Sequence, residues 1–435
     1  EFLQGPQRED AIEPGNCPVW RLTFVPAPEK GQPLLLPPLP QGLSQRELAC
    51  LCVGYGPGVP FSAFLETEAP SSLTDESGKP LTVNDHPVGW AGNSSPAIPE
   101  KGIHSLFYKD GPAGVGGVAW PTEMLLACSF DRKLLQSVGQ AIGDECLDLG
   151  VNVWLAPALN LHRHPLGGRN FEYYSEDPVI SGTVASLEIK DAAEKGVYST
   201  IKHFALNDQE NHRGDGGIEQ GCATWSNEQA IREIYVKPFD ICMHVGTVDE
   251  NYVEQGADGS YSMATTKVDA CQAIMSAFNR VGATWAGGNY ALLTGLARNE
   301  WGFNGWIVTD SANSAAPYMD SSQMIRAGGD SRLRSNENNY QYDENNSAEY
   351  HYAREAIHHL LYVTANSKAM EGAMPGSAYA PGLQAVDKVR IGVTAGGAAV
   401  IALVFWTGWR NHKKRAAERA AAAADAAATG DGGEK

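Results

Sequence analysis

Four apolar runs constrain this chain most: residues 151–161 (VNVWLAPALNL), 196–206 (GVYSTIKHFAL), 273–279 (AIMSAFN) and 305–310 (GWIVTD). Between and after them lie stretches with helical spacing, at 131–149, 178–195, 226–244, 289–300 and 350–370. Short apolar runs alternating with helices predict parallel β/α units rather than a sandwich or a bundle. The expected fold class is therefore α/β, a (β/α)8-type TIM barrel. A chain of 435 residues, 43% hydrophobic, can bury a core of that size.

The polar residues fall in a regular place. Clusters follow the apolar runs at 109–114 (KDGPAG), 160–177 (NLHRHPLGGRNFEYYSED), 202–213 (KHFALNDQENHR), 278–280 (FNR) and 309–311 (TDS). The C-terminal ends of barrel strands carry the active site, so five such clusters describe one polar pocket. Asp310 stands at its centre, because a carboxylate ending a buried run is costly unless cations hold it. As an isolated residue it reads more readily as a cap of the next helix, a common role for a strand-end Asp. Residues 245–272 and 331–350 are polar and read as inserted surface loops.

A second segment reads differently. Residues 391–409 (IGVTAGGAAVIALVFWTGW) carry no charge over a length close to the ~20 residues that cross a bilayer. Trp406 and Trp409 mark one end, and residues 410–419 beyond them hold five Lys or Arg. The expectation is a single transmembrane helix over 389–410, with the basic, then Ala-rich, tail 411–435 in the cytoplasm and the barrel outside the cell membrane. Residues 1–40 read as a Pro-rich linker or arm and 373–388 as a second linker, leaving 41–372 for the barrel. A net charge of −18 argues against nucleic acid as a partner. Among the eight cysteines there is no CxxC, and His162 with His164 lack a third ligand at a zinc spacing, so no metal is expected. The GVGG at 114–117 is too short for a dinucleotide fingerprint, and no cofactor is expected.

A strand-end carboxylate among Arg, Lys and His suits glycoside chemistry, in which one carboxylate attacks the anomeric carbon and a second group protonates the leaving oxygen. Asp110, Arg169, Lys202, His203 and Arg213 supply the fixed donors and acceptors that sugar hydroxyls require. Lys202 and His203 are neighbours in a strand, and in regular pleating only one of them can face the pocket.

Six stretches taken together resemble the catalytic barrel of glycoside hydrolase family 3, of the β-glucosidase and β-xylosidase type. They are KDGPAG, AWPTEMLLACSFD, NVWLAPALNLHRHPLGGRNFEYYSEDP, IKHFALNDQENHR, AIMSAFNR and LLTGLARNEWGFNGWIVTD, in family order over about 41–372. The resemblance implies an exo-acting retaining β-glycosidase with Asp310 as nucleophile. It implies that Asp110, Arg169, Lys202, His203, Arg213 and Met275 bind the sugar in the −1 subsite. The substrate is then a β-linked oligosaccharide or glycoside.

Departures from the family pattern are specific. Phe278 stands where a Tyr is usual, Ser311 where a Trp often follows the nucleophile, and Gly116 where an Arg is common. KHFALND lacks the KHFPGHG signature of the β-N-acetylglucosaminidase branch. The resemblance also implies an acid/base on a separate α/β-sandwich domain; this chain resembles permuted bacterial members, in which that domain lies upstream and a membrane anchor ends the chain. The expectation is thus a fragment or processed product whose acid/base lies elsewhere; Glu172, Glu176, Glu210 and Asp215 read as structural. The alternative is a non-catalytic, membrane-anchored carbohydrate-binding protein.

Overall fold

A computed structural model describes residues 43–54, 93–96, 105–116, 119–255, 260–312, 316–333, 346–370 and 385–429, apart from single positions at 212–220, together with Ile103, Asp258 and the paired strands Leu3–Gln4 and Arg21–Leu22. The rest of the arm expected at 1–40, most of the 373–388 linker and residues 334–345 of the second loop lie outside the described residues. Two compact units divide at Pro381 and Gly382.

In the first unit the strands that frame the site are β1 (Val53–Gly54), β2 (Asn93–Ser94), β3 (Phe107–Asp110), β4 (Val153–Leu155), β5 (Tyr198–Phe204), β6 (Ala273–Ser276), β7 (Trp306–Thr309) and β8 (Arg332–Leu333). A six-stranded sheet runs β7-β6-β5-β4-β3-β2. The bridge between Val308 and Ser331 carries the path on to β8, which pairs with β1. All these neighbours are parallel except β2, which runs antiparallel to β3. That departs from an all-parallel barrel. Among the described residues no backbone pairing joins β1 to β2 or β3. The two ends of the path do approach, because a Cβ at Gly54 would overlap the Tyr108 hydroxyl.

Side-chain parity explains the core. Tyr108, Val153, Leu155, Tyr198, Ala273, Met275, Trp306 and Val308 share one buried cluster. The intervening Phe107, Trp154, Ile201, Ile274 and Ile307 share the other. Successive strand residues point to opposite faces, so the first set lines the concave side and the second faces the helices. Trp306 and Tyr108 meet on the concave side with ring centroids 5.0 Å apart.

The helices begin where their caps predict. In α1 (Gln45–Leu51) Ser44 and Glu47 form the reciprocal capping box, and Thr122 caps α2 (Glu123–Cys128). Asp131 caps α3 (Arg132–Asp148), and Asp177 caps α4 (Pro178–Ala193), whose first residue is the proline that such a start favours. The helix expected over 226–244 is broken into Glu228–Ala230, a π-helical turn Ile231–Tyr235 and α5 (Lys237–Met243), with Pro238 beside the break. Residues 245–272, expected as a loop, form instead a hairpin, Thr247–Gln255 with Tyr261–Asp269. Backbone pairing held a polar sequence extended there, which apolar periodicity does not report.

In the second unit one uninterrupted helix, Ala385–Thr429, contains the uncharged run. Its 391–425 portion is long and apolar enough to cross a membrane by length and composition.

Candidate active site

The site grows from the C-terminal ends of β3 to β7. By parity with Trp306 and Val308, Asp310 faces the concave side one residue beyond β7. Asp110 does the same at the end of β3, in step with Tyr108. The Asp310 N–H donates to the Ser276 carbonyl at 3.0 Å, tying the nucleophile candidate to β6.

Lys202 and His203 both reach the pocket because β5 gains a residue against β6. Ile201 pairs with Ile274 and Phe204 with Ser276, so three steps on β5 match two on β6. Such a bulge flips the parity. Lys202 stays with the concave set, and Phe204 already belongs to the outer cluster.

Lys202 Nζ makes an ion pair with Asp110 Oδ1. Loss of water pushes the Asp110 carboxyl up, but the charge and hydrogen bond of Lys202 outweigh it and hold the group below the usual range. Asp110 is 72% exposed while Lys202 is buried, so the cation rather than burial decides. His203 Nε2 lies 3.6 Å from Asp310 Oδ2. Burial, then Arg169, Lys202 and Arg213, drive the imidazole well below its ordinary pKa, so it is neutral.

Asp310 Oδ1 accepts the Ser311 N–H at 2.7 Å. Oδ2 is buried with no hydrogen-bond partner among the described residues. Burial pushes the carboxyl up to about 6, against Arg169, the Ser311 N–H, Lys202 and Arg213, which favour the ion.

The two arginines are themselves organised. Arg169 pairs with Glu172 through Nε, and its Nη1 lies 3.8 Å from Glu210 Oε1. Arg213 Nη1 donates to Glu210 Oε2 at 2.6 Å, and its guanidinium lies 4.4 Å from the Phe278 ring centroid. Glu210 therefore bridges both cations, and Asn207 donates to it at 3.2 Å. Glu172 and Glu210, weighed as acids, are thus held by arginines, and Glu176 is exposed. Met275 is in the concave core, in register with Val308. Phe278 packs there too, and its carbonyl accepts the Tyr318 hydroxyl at 2.8 Å. Gly116 is exposed, with a left-handed φ of +117°.

Two residues of the site carry no sequence assignment. Asn160 grips His203, its Oδ1 accepting the His203 N–H at 2.9 Å and its Nδ2 donating to the His203 carbonyl at 3.1 Å. His203 Nδ1 also lies 3.3 Å from that Oδ1. Asn160 sits in the polar cluster after β4, but an amide holding a neighbouring strand has no motif. Tyr318 is the second, reaching across from the loop after β7. His162, weighed as a metal ligand, places Nε2 at 2.9 and 2.8 Å from the Asn170 and Tyr173 carbonyls and staples the Arg169 loop.

Residues 102–253 match the model of the glycosyl hydrolase family 3 N terminal domain. Beta-glucosidase B of Emericella nidulans is 36% identical over 247 residues, 54% of this chain and 26% of that protein. Beta-glucosidase A of Butyrivibrio fibrisolvens is 34% identical over 244 residues, 54% of this chain and 25% of that protein. The structure of beta-glucosidase 3B from Thermotoga neapolitana in complex with glucose aligns at a TM-score of 0.55 and 28% identity, over 80% of this chain and 44% of that one. Residues 102–253 thus carry the N terminal domain of glycosyl hydrolase family 3, and the flanking residues are similar to proteins of the same kind. It spans about a quarter of the length of the curated relatives it matches.

Proposed function

We propose that this chain is the barrel of an exo-acting retaining β-glycosidase of β-glucosidase or β-xylosidase type. Asp310 is its nucleophile. The observation that carries the reading is the buried Asp310 Oδ2, which has no hydrogen-bond partner among the described residues and lies near the cations of Arg169, Lys202 and Arg213.

In the first step Oδ2 forms a bond to the anomeric carbon as the bond to the leaving oxygen breaks. Arg169, Lys202 and Arg213 keep Asp310 ionised, while Ser311 fixes its other oxygen. Asp110 accepts hydrogen bonds from sugar hydroxyls and Lys202 donates them. His203, neutral and gripped by Asn160, offers one donor or one acceptor at Nε2. Met275 and Phe278 form an apolar wall. Lys202, Arg169 and Arg213 each face a carboxylate already, which suits an uncharged sugar better than an acidic one.

The proton for the leaving oxygen comes from a group beyond these residues, on an α/β-sandwich domain of the protein. Residues 389–410 anchor the barrel in the cell membrane as a single span, with the barrel outside and the basic tail in the cytoplasm. A 2,4-dinitrophenyl leaving group needs no protonation, so the full chain should hydrolyse 2,4-dinitrophenyl β-glucoside or β-xyloside. Proton NMR should then detect the β-anomer first. Hydrolysis that gives the α-anomer first contradicts the retaining mechanism.

A second reading is favoured by one observation, the cation pairing of both Glu172 and Glu210. It is a sugar-binding protein that holds its ligand without turnover. Saturable binding of glucose or xylose with no hydrolysis of either donor would support it.

A further inference from the structure

The helix Ala385–Thr429 does not end where its apolar run ends; it continues for 20 residues past Trp409. Residues 410–419 carry Arg410, Lys413, Lys414, Arg415 and Arg419 against one acid, Glu418. At about 1.5 Å rise per residue these cations occupy roughly 14 Å of helix. Arg410, Lys413 and Lys414 share one side, at i, i+3 and i+4, while Arg415 and Arg419 share another, so the charges surround the helix.

Two of the cations are fixed by the indoles that end the apolar run. The Arg410 guanidinium lies 5.5 Å from the Trp406 ring centroid, and Lys413 Nζ lies 4.3 Å from that of Trp409. Indoles favour the level of the lipid headgroups, so cations stacked on them are held at that level too. A chain of net charge −18 has concentrated cations where its span emerges.

We propose that residues 410–419 form a collar that binds the phosphate groups of anionic phospholipids in the leaflet where this helix emerges. The inference rests on reading residues 389–410 as a membrane span. Each Lys or Arg near an anionic leaflet adds attraction, and Arg offers phosphate a two-pronged donor set. A rigid helix keeps the cations from spreading away from the headgroups.

The test uses the full chain in vesicles of equal phosphatidylcholine and phosphatidylglycerol. Flotation after an alkaline carbonate wash reports insertion. Extraction into mild detergent, followed by mass spectrometry of the retained lipid, reports headgroup choice. Phosphatidylglycerol should be enriched on the order of tenfold. A variant with Lys413, Lys414, Arg415 and Arg419 all changed to Gln should still float and lose the enrichment. Equal retention of both lipids by floating wild-type chain would overturn the collar, as would enrichment that survives the four substitutions. A wild-type chain that does not float would overturn the span itself.

Discussion

His203 Nε2 and Asp310 Oδ2 stand 3.6 Å apart, just outside hydrogen-bond range, so among the described residues the nucleophile candidate keeps one oxygen uncommitted inside a buried pocket. A hydrogen bond there would hold the carboxylate's charge back from an incoming anomeric carbon. The cost of that arrangement is a carboxyl pushed up to about 6.

The first prediction concerns pH. Attack requires the carboxylate, so kcat/KM for a dinitrophenyl glycoside should rise with pH through about 6 and then level. Because Arg169 favours the ionised form, Arg169→Leu should move that limb upward. A limb near 4 in the wild-type chain would contradict the burial argument.

The same shift has a consequence for stability. A carboxyl whose folded pKa lies above its unfolded value stabilises below the unfolded pKa, and that contribution is lost as pH rises through the folded one. Asp310→Asn should therefore stabilise the fold by roughly 3 kcal/mol at pH 7.5, seen as a higher Tm, and change it little at pH 4. Thermal melts at the two pH values decide it.

Asn160→Ala should slow reaction with activated donors by roughly 10- to 100-fold, since a small misplacement of a positioned group costs that much. His203 loses both main-chain hydrogen bonds in this variant. Glucose affinity measured by calorimetry should fall alongside the rate, while Asn160→Asp, which keeps the acceptor, should retain more of both.

Asp330 holds β7 from below. Its carboxylate accepts the Ile307 N–H at 2.6 Å, Arg298 Nη2 at 2.7 Å and His359 Nδ1 at 2.8 Å. Breaking one side of a buried pair leaves its partner uncompensated, so Asp330→Ala should destabilise by about 3 kcal/mol or more. Urea unfolding of the variant provides the check.

Glu188 is a buried carboxyl in the helical layer, pushed up to about 8 by burial, with Oε2 accepting the Tyr174 hydroxyl at 3.0 Å. Its neutral form suits the fold, so stability should decline as pH climbs from about 4.5 toward 8. Glu188→Gln should flatten that decline in melts between pH 5 and pH 8.5.

The strands bearing Lys202, Met275 and Asp310 were legible in the sequence because each is an apolar run ending in polar residues. So was the question of whether Lys202 and His203 could both face the pocket; its answer was not. The bulge depends on the register between β5 and β6, and register is a relation between segments distant in sequence. The reversed β2 and the 247–269 hairpin were missed for a related reason, since polar strands are held by pairing rather than by apolar periodicity. Asn160 and Tyr318 escaped because a side chain that grips another strand's backbone leaves no spacing of its own.

The central claim is that Asp310 forms a bond to sugar. The most direct test is intact-mass measurement of the full chain after incubation with 2,4-dinitrophenyl 2-deoxy-2-fluoro-β-glucoside, and with the matching β-xyloside. The account predicts a mass gain of one fluoroglycosyl unit, located on the peptide containing Asp310 and lost in Asp310→Asn. Folded chain that gains no mass with either donor, or an adduct that persists in Asp310→Asn, would contradict it.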